Sequence, residues 1–369
     1  TRLSEDEAAA TRGGDRSVTQ YDASVGALWE LDLWGRFARA VESTDAELEA
    51  SIADHDAVLV LLYSEVARRY VAYRTFQERI GFIRANIQVQ EASFQIAQDR
   101  FSAGAVSERD VHEARQVLEQ TRARLPALEA GLRTQANALC ILVGTPPRDL
   151  AAELGPGTIP AVPPSVVVGI PADLVRRRPD VRRAERLAAA RCALIGIAEA
   201  DYYPSFSITG SAGVSAENAG DLFTSDALTT VIGARFSWTL LDYGRTAANV
   251  RVYEAEYREA VLGYQDAVLR AGGEVEDAVV SFLKATETIA PQTAAVAAAS
   301  RTVEISKDQY NQGAVDFSTV FLFTGVLTEQ QDFLAETRGS AALALVDLYR
   351  ALGGGWTPPP EPPAAGEKP

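Results

Sequence analysis

Very little in this 369-residue chain is placed to do covalent chemistry. The two histidines, His55 and His112, lie far apart and each falls inside a helical pattern, so neither a catalytic triad nor a histidine metal site assembles from them. Two cysteines, Cys140 and Cys192, lack CxxC spacing and read as buried structural thiols. The 50 Asp and Glu residues are spread as solvated helix faces, without the converging pair that acid–base catalysis needs. Arg176, Arg177, Arg178, Arg182, Arg183, Arg186 and Arg191 would suit an anion. With a net charge of -15, however, they read as a basic helix start packed on acidic neighbours, and a nucleic-acid partner is excluded. No catalytic, cofactor or metal residue is assigned, and an enzyme is not expected.

The organisation around these residues is more informative. From Gly169 to Gly213 a helix opens at Pro179-Asp180, runs to about Tyr203 and stops at Pro204. A strand follows at once, with Phe206, Ile208, Ala212 and Val214 on one side and Ser205, Ser207, Thr209 and Ser211 on the other. Two further stretches alternate in the same way. Ala23, Val25, Ala27, Trp29 and Leu31 share one face of the first, and Ile232, Ala234, Phe236, Trp238 and Leu240 one face of the second. Aromatics gather near the strand ends: Trp29, Trp34, Tyr202, Tyr203, Phe223, Trp238 and Tyr243. This pattern fits a membrane β-barrel and also the edge of a soluble sandwich.

The chain also repeats itself. FSAGAV from Phe101 returns as YNQGAV from Tyr310, and the same offset of 209 carries Trp29 onto Trp238, Gly35 onto Gly244 and Gly144 onto Gly353. That period is too long for a solenoid and describes a duplicated unit. Each unit reads as a strand, a very long helix, a tight turn at Gly104 or Gly313, and a return helix. The apolar stripe of the first helix runs through Phe37, Val41, Leu48, Ile52, Tyr73, Ile80, Ile83 and Phe94 to Phe101. Its length is ~100 Å at ~1.5 Å per residue. Pro126 and Pro291 should kink or interrupt their helices. The expected divisions are a first repeat at 1–143 that lacks its first strand, a Pro/Gly-rich connector at 144–172, a second repeat at 173–352 and a disordered tail at 353–369. No apolar run approaches the ~20 residues of a spanning helix. Open sheet edges in lipid leave backbone groups unpaired, so a barrel would need several chains, and the repeat pairs the strand at Tyr203 with a further one expected upstream of Thr1.

The motifs GIPADL from Gly169, RPDV from Arg178, YPSFSITG from Tyr203, LDYGR from Leu241 and LYRALGGGW from Leu348 resemble the TolC-like outer-membrane efflux channels of Gram-negative bacteria, in particular their lipoprotein (NodT-type) branch. The resemblance spans nearly the whole chain. It implies a mainly α fold with β strands: long antiparallel helical hairpins forming an α-barrel, continued by strands that three protomers give to one transmembrane β-barrel. It also implies a homotrimer in the outer membrane, a periplasmic adaptor, an inner-membrane pump of the resistance-nodulation-division type, and a signal peptide and lipid anchor upstream of Thr1.

On that reading Val25, Ala27, Trp29, Phe206, Ile208, Ala234, Phe236 and Trp238 face lipid. Phe101, Gly104, Ser107, Asp110, Tyr310, Gly313, Asp316, Ser318 and Leu322 belong to the hairpin tips that close the bore or dock the adaptor. The bland alternative for the Gly and aromatic positions is turn chemistry alone. Many such channels carry a carboxylate after the second tip, but here Ser318 is followed by Thr319-Val320-Phe321-Leu322-Phe323. The expected constriction is therefore hydrophobic, centred on Leu322. The competing class is a coiled-coil adaptor or scaffold without a pore, and the alternating strands argue against it.

Overall fold

The computed structural model describes residues 19–163 and 177–354. In chain order these form β1 (Tyr21–Leu31), α1 (Arg36–Ser102), α2 (Glu108–Leu142), the single turn α3 (Ala151–Leu154), α4 (Pro179–Ala200), β2 (Ser205–Ala216), β3 (Leu228–Ser237), α5 (Arg245–Asn311) and α6 (Phe317–Ala351). Arg176, the last part of the expected connector and the expected disordered tail beyond residue 354 lie outside the described residues.

Helices α1 and α5 each hold 67 residues, and α2 and α6 each hold 35. Counterparts start 209 positions apart, Arg36 with Arg245 and Glu108 with Phe317. Of the expected kink or interruption, the interruption does not occur: Pro126 and Pro291 lie inside continuous helices. Each removes one backbone donor from a helix with many turns on either side to hold it.

Two compact units divide the described residues. One comprises 19–48 and 187–261; the other comprises 49–163, 177–186 and 262–354.

In the first unit, β1, β2 and β3 form an antiparallel sheet with β2 in the middle. At the start of α1 the buried residues are Ser43 and Ala46, while Phe37, Val41 and Leu48 are exposed, which reverses the expected stripe. Close approach explains it: α4 buries Ala188, Ala190, Ala193 and Ala198, and the Ser43 hydroxyl donates to the Ala190 carbonyl at 3.2 Å. Small side chains meet here, so the large ones are left outside. Cys192, on the same helix, is exposed rather than buried, whereas Cys140 of the other unit is fully buried as expected.

In the second unit the two hairpins are packed by apolar side chains. Tyr73, Ala136, Leu139 and Cys140 form one cluster of α1 with α2, and Ile80, Ile83 and Leu128 form another. Val275, Ala278, Phe282, Leu348 and Ala351 do the same for α5 with α6. Burying each large side chain contributes about 1.5–3 kcal/mol. Gly131 lies under the Phe76 ring, which a Cβ would strike.

Between α1 and α6 polar contacts join apolar ones such as Val71 with Ala342. Arg79 binds both oxygens of Asp332 at 2.6 and 2.8 Å, Arg338 donates to Glu78 at 3.0 Å, and Asn86 donates to Gln331 at 2.8 Å.

The arginines at the start of α4 are paired. Arg178 donates to Asp180, to Glu274 and to the Ala351 carbonyl, Arg183 lies 3.1 Å from Asp54, and Arg186 lies 2.9 Å from Glu49. Burial opposes the charge on Arg178, but its bonds to Asp180 and Glu274 outweigh that and raise its pKa. Burial likewise pushes Asp180 up, and the Arg178 hydrogen bonds more than reverse it.

Candidate functional site

The sheet separates two chemistries. Residues directly opposite in register share a face. Trp29 faces Ile208, which faces Ala234; Ala27 faces Gly210, which faces Ile232; Leu31 faces Phe206, which faces Phe236. With Val25 opposite Ala212, these make an apolar face broken by Thr230, which lies opposite Ala212 on β3. It is uncovered in the single chain, with Val25 81% and Ile232 85% exposed. The other face carries Ser24, Gly26, Ser207, Thr209, Ser211, Gly213, Thr229 and Gly233, interrupted by Leu28 and Val231.

Trp238 falls one residue past β3, so its expected place within a strand is corrected. Its indole N–H donates to the Tyr202 carbonyl at 3.1 Å, a side-chain bond to the turn in place of a ladder position. Nearby, Trp34 stacks on Tyr203 with ring centres 4.6 Å apart and donates to the Pro204 carbonyl at 2.8 Å. Amphipathic rings therefore gather where the sheet gives way to helices. Carboxylates cap the long helices there. Asp32 accepts from the Phe37 and Ala38 amides, and Asp242 accepts from the Gly244 and Thr246 amides. The Thr246 and Gly244 hydrogen bonds hold the Asp242 carboxyl down at about 2.

The hairpin tips are built on one backbone design. At the first, the Gly104 amide donates to the Phe101 carbonyl and the Ala105 amide to the Arg100 carbonyl, both at 2.9 Å. At the second, Gly313 donates to Tyr310 at 3.0 Å and Ala314 to Gln309 at 2.9 Å. Gly104 and Gly313 sit at φ +70 and +74°, the left-handed conformation that closes a helix in this way.

The two tips share one core of Ala97, Ala114, Tyr310, Phe317 and Val320, with Phe94, Val106, Val315 and Phe321 against it. The Tyr310 and Phe317 rings meet edge to face at 5.4 Å. Arg100 places its guanidinium 4.8 Å from the Tyr310 ring centre and donates to the carbonyls of Tyr310 and Asn311 at 3.3 and 3.2 Å. Arg109 reaches Asp316 at 3.8 Å.

Asp110 is turned inward, 8% exposed, and accepts from the Ser107 hydroxyl at 3.1 Å. Phe101 is exposed, Ser318 is half-buried, and Leu322 is 58% exposed. Phe321 and Phe323, flanking Leu322, are half-buried. Beneath the tip, burial draws the Lys307 ammonium below the ordinary lysine range, in a cavity of about 260 Å³ lined by Phe82, Asn86 and Gln331.

Among the described residues no group of His, Cys, Asp and Glu is arranged to hold a metal, and no helix is long and apolar enough to cross a membrane. The sequence profile of the family described as outer membrane efflux protein matches residues 2–145 and 170–354. The chain belongs to the outer membrane efflux protein family.

Relatives of this efflux protein agree. It is 31% identical over 338 residues to nodulation protein T of Rhizobium leguminosarum bv. trifolii, covering 89% of this chain and 71% of that one. It is 33% identical over 361 residues to outer membrane protein OprJ of Pseudomonas aeruginosa, covering 93% and 72%. The solved outer-membrane channel OprN superposes with a TM-score of 0.83 at 29% identity, over 95% of this chain and 84% of that one. The efflux protein is thus an outer-membrane channel component and not an enzyme.

In this protein Tyr310, Gly313 and Asp316 are gathered with Gly104, Ser107 and Asp110 at one tip cluster. Arg100 and Arg109, which tie the two tips together, carry no periodicity or motif and are not among the site residues that the sequence suggests. Their one sequence signal is position: each lies within five residues of a turn glycine.

Proposed function

We propose that the protein is one of three identical subunits of a passive export duct, with strands pooled into one β-barrel in the outer membrane and helical hairpins continuing as an α-barrel in the periplasm. Cargo enters from an inner-membrane pump of the resistance-nodulation-division type, through a periplasmic adaptor docked at the hairpin tips. The observation that carries this reading is the sheet. Its apolar face is uncovered, and a three-stranded sheet has two open edges that lipid would leave unpaired at several kcal/mol per group. Additional copies of the chain pair the edges, and lipid covers the apolar face. The exposed Phe37, Val41, Leu48 and Ile52 on α1 offer apolar surface for the same neighbours.

A pore-less adaptor or scaffold has no use for such a sheet. We further read residues 1–143 and 173–352 as two repeats joined by the connector at 144–172, with 353–369 as a tail. The closed bore is narrowed by Leu322 rather than by an ionic ring. Planar-bilayer conductance of the natural full-length protein tests the duct: discrete channels from a trimer are expected, and a soluble monomer without conductance would overturn the reading. In the same assay Leu322→Ser raises the closed-state conductance; an unchanged value refutes the hydrophobic gate.

A further inference from the structure

The polar face of the sheet is nearly free of charge, and the exceptions are placed in register. Glu30 lies opposite Ser207, and Ser207 lies opposite Arg235, so the two charged residues flank one serine at one level of the face. Adjacent strands stand about 4.8 Å apart, which puts the two backbones about 10 Å from each other. Among the described residues, neither side chain has an ion pair or hydrogen bond within the chain. Above them β2 and β3 present only Thr209, Ser211, Gly213 and Ser215 with Thr229, Val231 and Gly233. The next charge on this face is Asp22, eight residues along β1 and about 27 Å away, where it accepts from the Gln20 amide. Glu30 also lines a cavity of about 690 Å³ at the base of the sheet with Ser205, Ser237 and Arg245.

Unpartnered charges on a water-facing wall act on whatever passes. Along the strands the next charge is some three Debye lengths away at ordinary salt, so a solute inside the sheet region meets these two groups first, with Asp32, Arg36, Asp201 and Arg245 lining the cavity at the base. We propose that Glu30 and Arg235 set the charge balance of the barrel lumen, a level at which small ions and charged solutes meet fixed charge of both signs. The two signs balance, so neither cations nor anions are rejected, and loss of either residue tips the lumen toward the other sign. This rests on the reading of the sheet as part of a water-filled barrel.

The test places a reporter between the two charges. In a Cys192→Ser background, Ser207→Cys is labelled in whole cells with a cationic (trimethylammonium-ethyl) and an anionic (sulfonato-ethyl) methanethiosulfonate, and the two rates are compared. A unit charge about 5 Å away in water alters each rate about threefold to fourfold. Glu30→Gln is therefore expected to lower the cation-to-anion rate ratio about tenfold, and Arg235→Gln to raise it as much, with the double variant back near the starting value. A reactive reporter thiol whose ratio ignores both substitutions, or moves the same way for both, overturns the proposed charge balance while leaving the barrel intact. Failure of either reagent to reach the reporter thiol in assembled protein removes the water-facing wall itself, and the barrel reading falls with it.

Discussion

The two hairpin tips have the same backbone and opposite side chains. Gly104 and Gly313 hold matching φ values, and both turns close through the same pair of amide bonds. At positions 209 apart, however, Arg100 is matched by Gln309, Arg109 by Ser318, Asp110 by Thr319 and Glu113 by Leu322. The first tip supplies arginines and buried or exposed carboxylates, and the second supplies rings, hydroxyls, an exposed leucine and the Asp316 carboxylate. Arg100 and Arg109 then reach across to Tyr310, Asn311 and Asp316. One turn design has thus been divided into a part that holds and a part that is held, and the division lies wholly in the side chains.

That asymmetry can be broken most severely at Arg100. Arg100→Ala removes a ring contact and two bonds to helix-end carbonyls, and should cost the tip about 1–3 kcal/mol. Amide exchange over residues 310–316 would speed up accordingly, whereas Gln309→Ala, an exposed site, should leave it unchanged. Equal effects from the two substitutions would end the distinction between holder and held. Gly104→Ala and Gly313→Ala probe the shared backbone instead. A Cβ at either site meets nothing within 4 Å, so each loss is the left-handed backbone penalty of about 1–2 kcal/mol. Thermal melting should give matched decrements, and a mismatch would mean that side chains also shape the turns.

A double-mutant cycle on Arg109 and Asp316 should give a coupling of no more than about 1 kcal/mol, because both side chains are mostly exposed. High salt should abolish it. The smallest effect belongs to the helix starts, where Asp242 caps α5 as Asp32 caps α1. The folded pKa of Asp242 is lowered to about 2, so its contribution is complete above the unfolded value near 3.9 and is lost as pH falls through about 2. The melting difference between wild type and Asp242→Ala should therefore shrink over that acid range.

Much of this is legible in the sequence because turn and strand residues recur at one fixed spacing. The offset of 209, the turn glycines and the alternation at Phe206–Ile208 and Ala234–Phe236 mark four long helices and three strands from residue types alone. Hydropathy misleads where two helices approach closely. At Ser43 and Ala46 the inside is small, and the large residues beside them point outward. The sequence suggests Asp110 as an interaction residue, but the structure turns it toward the Ser107 hydroxyl, a choice set by local cap geometry that composition does not record. Arg100 gives no sign of its role because its partners are main-chain carbonyls 210 and 211 residues away.

The contrast between the two cysteines makes the protein its own counting device. Cys140 is sealed in the core of the first hairpin, whereas the thiol of Cys192 stands open on α4. A thiol-reactive dye therefore deposits one label per folded chain, and the number of bleaching steps from a single particle gives the number of subunits. If a neighbouring copy lies over α4, labelling becomes slow in the assembled particle and fast after dissociation, so the same sulfur reports both how many chains have come together and where they touch.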